Sequence, residues 1–110
     1  MKILIAGSRG ICDFDLSEYI PEDVELIISG GASGVDSIAE QYADRQRISK
    51  LVLRPDYKRY GKGAPLIRNK MMVDIADTVI IIWDGKSRGT KFTLEYARSI
   101  QKNIVLIEIV

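Results

Sequence analysis

The stretch from Val24 to Ala43, VELIISGGASGVDSIAEQYA, changes its periodicity at a cluster of glycines. Residues 24–29 are nearly all apolar, as expected of a strand buried on both faces of a parallel sheet. After the glycines, Val35, Ile38, Ala39, Tyr42 and Ala43 recur at i, i+3, i+4, i+7 and i+8 with charged residues opposite, which predicts a helix. A buried strand leading through a loop into an amphipathic helix is the opening of a βαβ unit. The loop itself, SGGASGVD at residues 29–36, has two readings. It is a tight turn in which Asp36 caps the helix, or it is a cradle of backbone N–H groups aimed at phosphate.

The same alternation extends in both directions. Apolar, β-branched runs at residues 2–6, 50–54, 78–83 and 103–109 predict four more strands. Stripes at Ile67, Met71 and Ile75, and at Phe92, Tyr96 and Ile100, predict two more helices, and a shorter helix is expected around residues 16–20, before Pro21. The expected fold is α/β: a three-layer Rossmann-like domain over residues 1–110 with a five-stranded parallel sheet. Strand order 3-2-1-4-5 suits a nucleotide fold, with 2-1-3-4-5 as the alternative that periodicity alone does not separate.

Composition narrows the chemistry. The chain has no histidine and one cysteine, Cys12. Ser-His-Asp and Cys-His nucleophile systems are therefore excluded, along with His-ligated metals and an internal disulfide. No metal and no cofactor is expected. A formal charge of +1 argues against bulk electrostatic attraction to nucleic acid. No apolar run approaches the roughly 18 to 20 residues of a membrane span, so no membrane partner is expected, and the expected location is cytoplasmic.

In this reading all nine glycines follow strand C-terminal ends. Glycines serving only turns would also gather at helix C-termini. Their one-sided placement points to close backbone approach at the sheet edge where open α/β folds bind ligands. Polar residues share these loops: Gly7, Ser8 and Arg9 after the first strand, and Gly30, Gly31, Ser33, Gly34 and Asp36 after the second. Arg68 and Asn69 follow on a helix, then Asp84, Ser87, Arg88, Gly89 and Thr90 before the last helix. Between Arg54 and Lys70 stand six basic residues and one acid, Asp56, with Tyr57 and Tyr60 among them as stacking platforms, lid or packing. A G-x-G-x-x-G fingerprint is missing, as is a G-x-x-x-x-G-K-[ST] loop.

Four segments, AGSRG, SGGASGVDSIAEQYA, GAPLIRNKMMVDIAD and WDGKSRGTKFTLEYA, together resemble the SLOG superfamily of Rossmann-like domains. Within it the chain looks most like the small YspA-related family. The resemblance implies a phosphate-containing nucleotide or nucleotide-derived ligand, such as an ADP-ribose-like or NAD-like molecule, bound at the strand C-terminal edge by a sensor or accessory factor. It also implies two alternatives. The LOG phosphoribohydrolases, which cleave N-glycosidic bonds of nucleoside monophosphates, share a Gly-Thr pair corresponding to Gly89-Thr90 and a helix arginine corresponding to Arg68. Their glutamate falls three residues after the threonine, whereas Glu95 falls five after Thr90, a rotation of about 200 degrees on a helix. The single-strand-binding DprA core shares motifs matching Val35-Asp36, Arg68-Asn69 and residues 87–90, which makes nucleic acid a minor alternative partner. A homo-oligomer and the identity of any catalytic residue stay open at this point.

Overall fold

The computed structural model describes residues 1–109. Five strands, β1 (Lys2–Gly7), β2 (Leu26–Ser29), β3 (Ser49–Val52), β4 (Thr78–Trp83) and β5 (Asn103–Glu108), form one parallel sheet in the order β3-β2-β1-β4-β5. The α/β class, the five parallel strands and the order 3-2-1-4-5 are those the apolar runs and loop chemistry predict; the order 2-1-3-4-5 is excluded.

Alternate residues of the central strands feed two cores. Leu4, Ala6, Ile28, Val79 and Ile81 face α3 (Ala64–Ile75) and α4 (Arg88–Ser99), meeting Met72, Val73, Ala76, Leu94 and Ala97. Ile3, Ile5, Ile27, Ile80 and Ile82 face α1 (Val35–Gln46), meeting Val35, Ala39 and Ala43. Both faces of β1 and β4 are thus covered, which is why their sequences do not alternate. A four-residue helix, α2 (Tyr57–Tyr60), and a 3₁₀ turn at Gly61–Gly63 lead into α3.

Three expectations need correcting. Residues 16–20 form a turn rather than a short helix: the Tyr19 N–H donates to the Leu16 carbonyl at 2.9 Å. Asp15 Oδ1 accepts from both the N–H and the hydroxyl of Ser17, at 2.9 and 2.7 Å, which opens the turn, and Pro21 keeps the chain before it from continuing as a helix. Leu16 still plugs the second core, completely buried.

On α3 the buried residues are Ala64, Arg68, Met72 and Val73, while Met71 and Ile75 of the predicted stripe are exposed. The face that packs runs through an arginine, and hydrophobic periodicity scores that residue as solvent-facing. On α4 the buried set is Thr90, Thr93, Leu94 and Ala97, and Ile100 is exposed. Thr93 can be buried because its hydroxyl donates to the Gly89 carbonyl at 3.0 Å, one turn back. Phe92 and Tyr96 are half-buried beneath Lys70, whose Nζ lies 5.8 and 5.5 Å from their ring centres. No helix among the described residues is long and apolar enough to cross a membrane.

Candidate functional site

Strand order reverses between β1 and β4, and the C-terminal ends of these two strands open a crevice of the kind that holds ligands in open α/β sheets. Gly7 closes β1 opposite Ile82, so tightly that a side chain there would strike the Ile82 carbonyl and Val35. Ser8, buried behind it, works in three directions. Its N–H donates to the Ile82 carbonyl at 3.1 Å, its carbonyl accepts from the Val35 N–H at 3.3 Å, and its hydroxyl accepts from the Asp84 N–H at 3.0 Å. The β1 loop therefore sits on the start of α1. Gly34, at φ 74° and ψ −126°, allows this: a Cβ would stand 2.5 Å from the Ser8 carbonyl oxygen and collide with that of Arg9.

The glycine-rich loop is largely satisfied from within. Gly31 N–H donates to Ser29 Oγ at 3.4 Å, and Ala32 N–H donates to Asp36 Oδ2 at 3.1 Å. Arg54 Nη1 donates to the Gly31 carbonyl at 3.2 Å. Asp36 lies in the first turn of α1 and folds back to brace the loop. At Gly30 a Cβ would come within 2.9 Å of both Arg68 Nη1 and Asp36 Oδ2, so the missing side chain is what lets those two groups approach the loop.

Arg68 is the second brace. Although only 7% exposed, it donates through Nη1 to the Gly30 carbonyl at 2.6 Å and the Leu53 carbonyl at 3.3 Å. Its Nε donates to Asn69 Oδ1 at 2.7 Å. Burial pushes the Arg68 pKa down, against the attraction of Asp36, which holds the proton on. Asp36, 8% exposed, has its pKa pushed up by burial; the Ala32 N–H and the cations of Arg68 and Arg9 oppose that rise, and Glu40 adds to it.

One atom of each side chain makes no internal bond: Arg68 Nη2 and Asp36 Oδ1. Among the described residues no fully enclosed side-chain nitrogen or oxygen lacks a partner. Both atoms therefore reach accessible space, Asp36 in the switch-point cleft and Arg68 at one or both of the two cavities it lines.

The cleft has a volume of about 110 Å³. Of the residues expected from sequence, Gly7, Arg9 and Asp36 line one side, Arg68 and Asn69 another, and Ser87, Gly89 and Thr90 at the start of α4 the third. The rest support it or lie outside. Ser8, Gly30, Gly31 and Gly34 build the loops as described, while Ser33 and Arg88 are exposed and off the cleft. Asp84 is a turn residue whose Oδ1 accepts from the Lys86 and Ser87 N–H groups at 2.8 and 2.9 Å; those bonds push its pKa down.

Thr93 also lines the cleft and went unforeseen, as did Ala32, Pro65 and Met72. The spacing of Thr93 three residues beyond Thr90, one helical turn, was the available signal. Ser87 caps α4 without a side-chain bond to its backbone; its hydroxyl instead meets that of Thr90 at 3.0 Å. The start of α4 thus lines the cleft with no side-chain cap on its first-turn N–H groups, the Asp84 carboxylate being bonded to the Lys86 and Ser87 N–H groups just before the helix. Glu95 does not line it; that side chain is exposed beside Lys91 at 3.9 Å.

Asp36 ties the site to stability. Its raised pKa means the folded protein holds this proton to higher pH than the unfolded chain does. The associated stabilisation is present at low pH and lost as pH rises through the folded value, leaving a cost at neutral pH. Asp36→Asn should therefore raise the melting temperature at pH 7 relative to wild type, with the gain shrinking as pH falls toward 3.8. A pH-independent difference between the two proteins would contradict the burial of an ionised Asp36.

Fold and cleft define a class: a small Rossmann-like α/β domain with a pocket at the switch point of its sheet. The chain belongs to the YspA, cpYpsA-related SLOG family, whose profile matches residues 1–60. That match takes in the β1 loop, the glycine-rich loop and Asp36, whereas Arg68, Asn69 and the α4 wall lie beyond it. The chain is also similar to the Gene 61 protein of Mycobacterium phage D29, with 28% identity over an alignment covering 88% of each. No solved structure matches.

Proposed function

We propose that this protein binds the phosphate end of a nucleotide-derived small molecule in the switch-point cleft, as a sensor or accessory factor. One observation carries the reading: two ionisable side chains that line the cleft with the start of α4, each more than nine-tenths buried, each keep a polar atom without an internal bond. Burying Arg68 and Asp36 is costly, and an incoming ligand offsets part of that cost by bonding both. Phosphate oxygens take the α4 N–H groups, the Ser87 and Thr90 hydroxyls and the Arg9 guanidinium. Asp36 accepts from a ribose hydroxyl. Family membership supports a nucleotide-related ligand.

Calorimetric titration with AMP and with ribose 5-phosphate tests this. Both should bind, and Arg9→Ala should weaken both about tenfold, the worth of one charge-assisted hydrogen bond. Absence of binding by either compound at millimolar concentration would remove the proposal. Cleavage of the N-glycosidic bond is the second reading, favoured only by a buried carboxylate at the cleft, Asp36. Adenine released from AMP during the titration would select it over binding alone.

A further inference from the structure

Arg68 also lines a second cavity, with a volume of about 250 Å³. Leu53, Ala64, Met71 and Tyr60 line it together with Arg54 and Arg59. None of its three arginines takes part in an ion pair among the described residues. Asp56, its sole carboxylate, accepts from the Arg59 backbone N–H at 3.2 Å and so serves the start of α2. The Arg59 guanidinium lies 5.4 Å from the centre of the Tyr60 ring.

The two cavities differ in size and in the groups that line them. Taking about 30 Å³ per water, the first holds the equivalent of about four waters and the second about eight. The smaller has Ser87, Thr90 and Thr93 at the start of α4 on its wall and no aromatic ring among its lining residues, which suits a phosphoryl group. The larger has the Tyr60 ring and the hydrocarbon of Leu53 and Met71 on its walls, together with three guanidinium groups. A flat heteroaromatic ring would bury its faces against Tyr60, Leu53 and Met71 and offer its edge nitrogens and oxygens to arginine.

We infer that the second cavity receives the base of the same ligand whose phosphate occupies the switch-point cleft, with the ribose crossing Arg68 between them. This inference rests on the binding proposed above. It assigns Tyr60 and Met71, both solvent-accessible at 36% and 43% and off the first cleft, to recognition of the base.

The experiment measures AMP, GMP and ribose 5-phosphate against wild type, Tyr60→Ala and Met71→Trp. The first substitution removes the stacking ring; the second fills the cavity from the surface of α3. In wild type at least one nucleotide should bind about tenfold or more tightly than ribose 5-phosphate. Each variant should erase most of that advantage, about tenfold for a lost base–aromatic stack, while binding ribose 5-phosphate as wild type does. Nucleotides no tighter than ribose 5-phosphate in wild type would overturn the inference and leave phosphate binding standing. So would variants that change all three affinities equally or change none. If ribose 5-phosphate and both nucleotides fail to bind wild type, the proposed function falls first and this inference with it.

Discussion

Replacing Gly34 with alanine is expected to destabilise the fold by about 4 kcal/mol, because two penalties add. At φ 74° and ψ −126° the backbone occupies the mirror-image extended region that only glycine adopts freely. The new methyl would also meet the Ser8 and Arg9 carbonyl oxygens, and the Ser8 carbonyl is held by the Val35 and Ile11 N–H groups and cannot simply swing aside. Against a total stability of about 5 to 15 kcal/mol this is a severe loss. At this chain length the melting temperature should fall by about 15 to 25 °C. A thermal scan of Gly34→Ala within a degree or two of wild type would mean that the β1 loop does not rest on the start of α1. Such a result would also take away the wall that holds Gly7 and Arg9 at the cleft.

Arg68→Ala should lower stability and ligand affinity together. The guanidinium satisfies the Gly30 and Leu53 carbonyls and is the main cation attracting Asp36, so its loss strands all three. Removing one partner from a buried charged network costs about 3 kcal/mol, which corresponds to a fall of about 15 °C. Binding of ribose 5-phosphate, measured well below the melting temperature of the variant, should weaken at least tenfold. Arg68→Lys keeps the charge but supplies a point donor in place of a planar fork, so it should recover part of the stability by reaching one carbonyl. A stable Arg68→Ala protein with unchanged affinity would show Arg68 to be a packing residue alone.

Much of this architecture was open to a reader of the sequence. The isoleucine- and valine-rich runs at residues 2–6 and 78–83 have no polar face, which places them at the centre of a covered sheet. The outer runs are shorter or more mixed, as edge strands are. Helix α1 followed its apolar stripe through Val35, Ala39 and Ala43, and its one buried charge, Asp36, sits in the first turn, where its carboxylate folds back onto the Ala32 N–H.

Helices α3 and α4 did not, and for one physical reason: each buries polar atoms whose partners lie elsewhere in the chain or along its own backbone. Arg68 finds carbonyls at Gly30 and Leu53, the former 38 residues away in sequence. Thr93 finds the Gly89 carbonyl one turn back. Periodicity weighs side chains by their cost in water and does not see a partner supplied by folding.

The candidate site was legible as a place more than as a set of roles. The glycine bias marked the sheet edge at which the cleft opens, but the glycines of residues 30–34 shape and seal their own loop, and the less conspicuous start of α4 forms an open wall of the cleft. What hid this was that a glycine needed for close packing and a glycine needed for a ligand have the same letter. Only the neighbours of the absent Cβ separate the two cases.

Ser8 has one more consequence. Because this single residue bonds β4, the start of α1 and the loop before α4, the spacing between the β1 side and the α4 side of the cleft is set by its main chain and one short hydroxyl. The opposite boundary, α3, is joined to the glycine loop through the long side chain of Arg68. The two sides of the cleft are therefore held differently, one by neighbouring loops knotted at a single small residue and the other by the far end of one long side chain. A substitution at position 68 would cut the link between α3 and the glycine loop while leaving the knot at Ser8 intact.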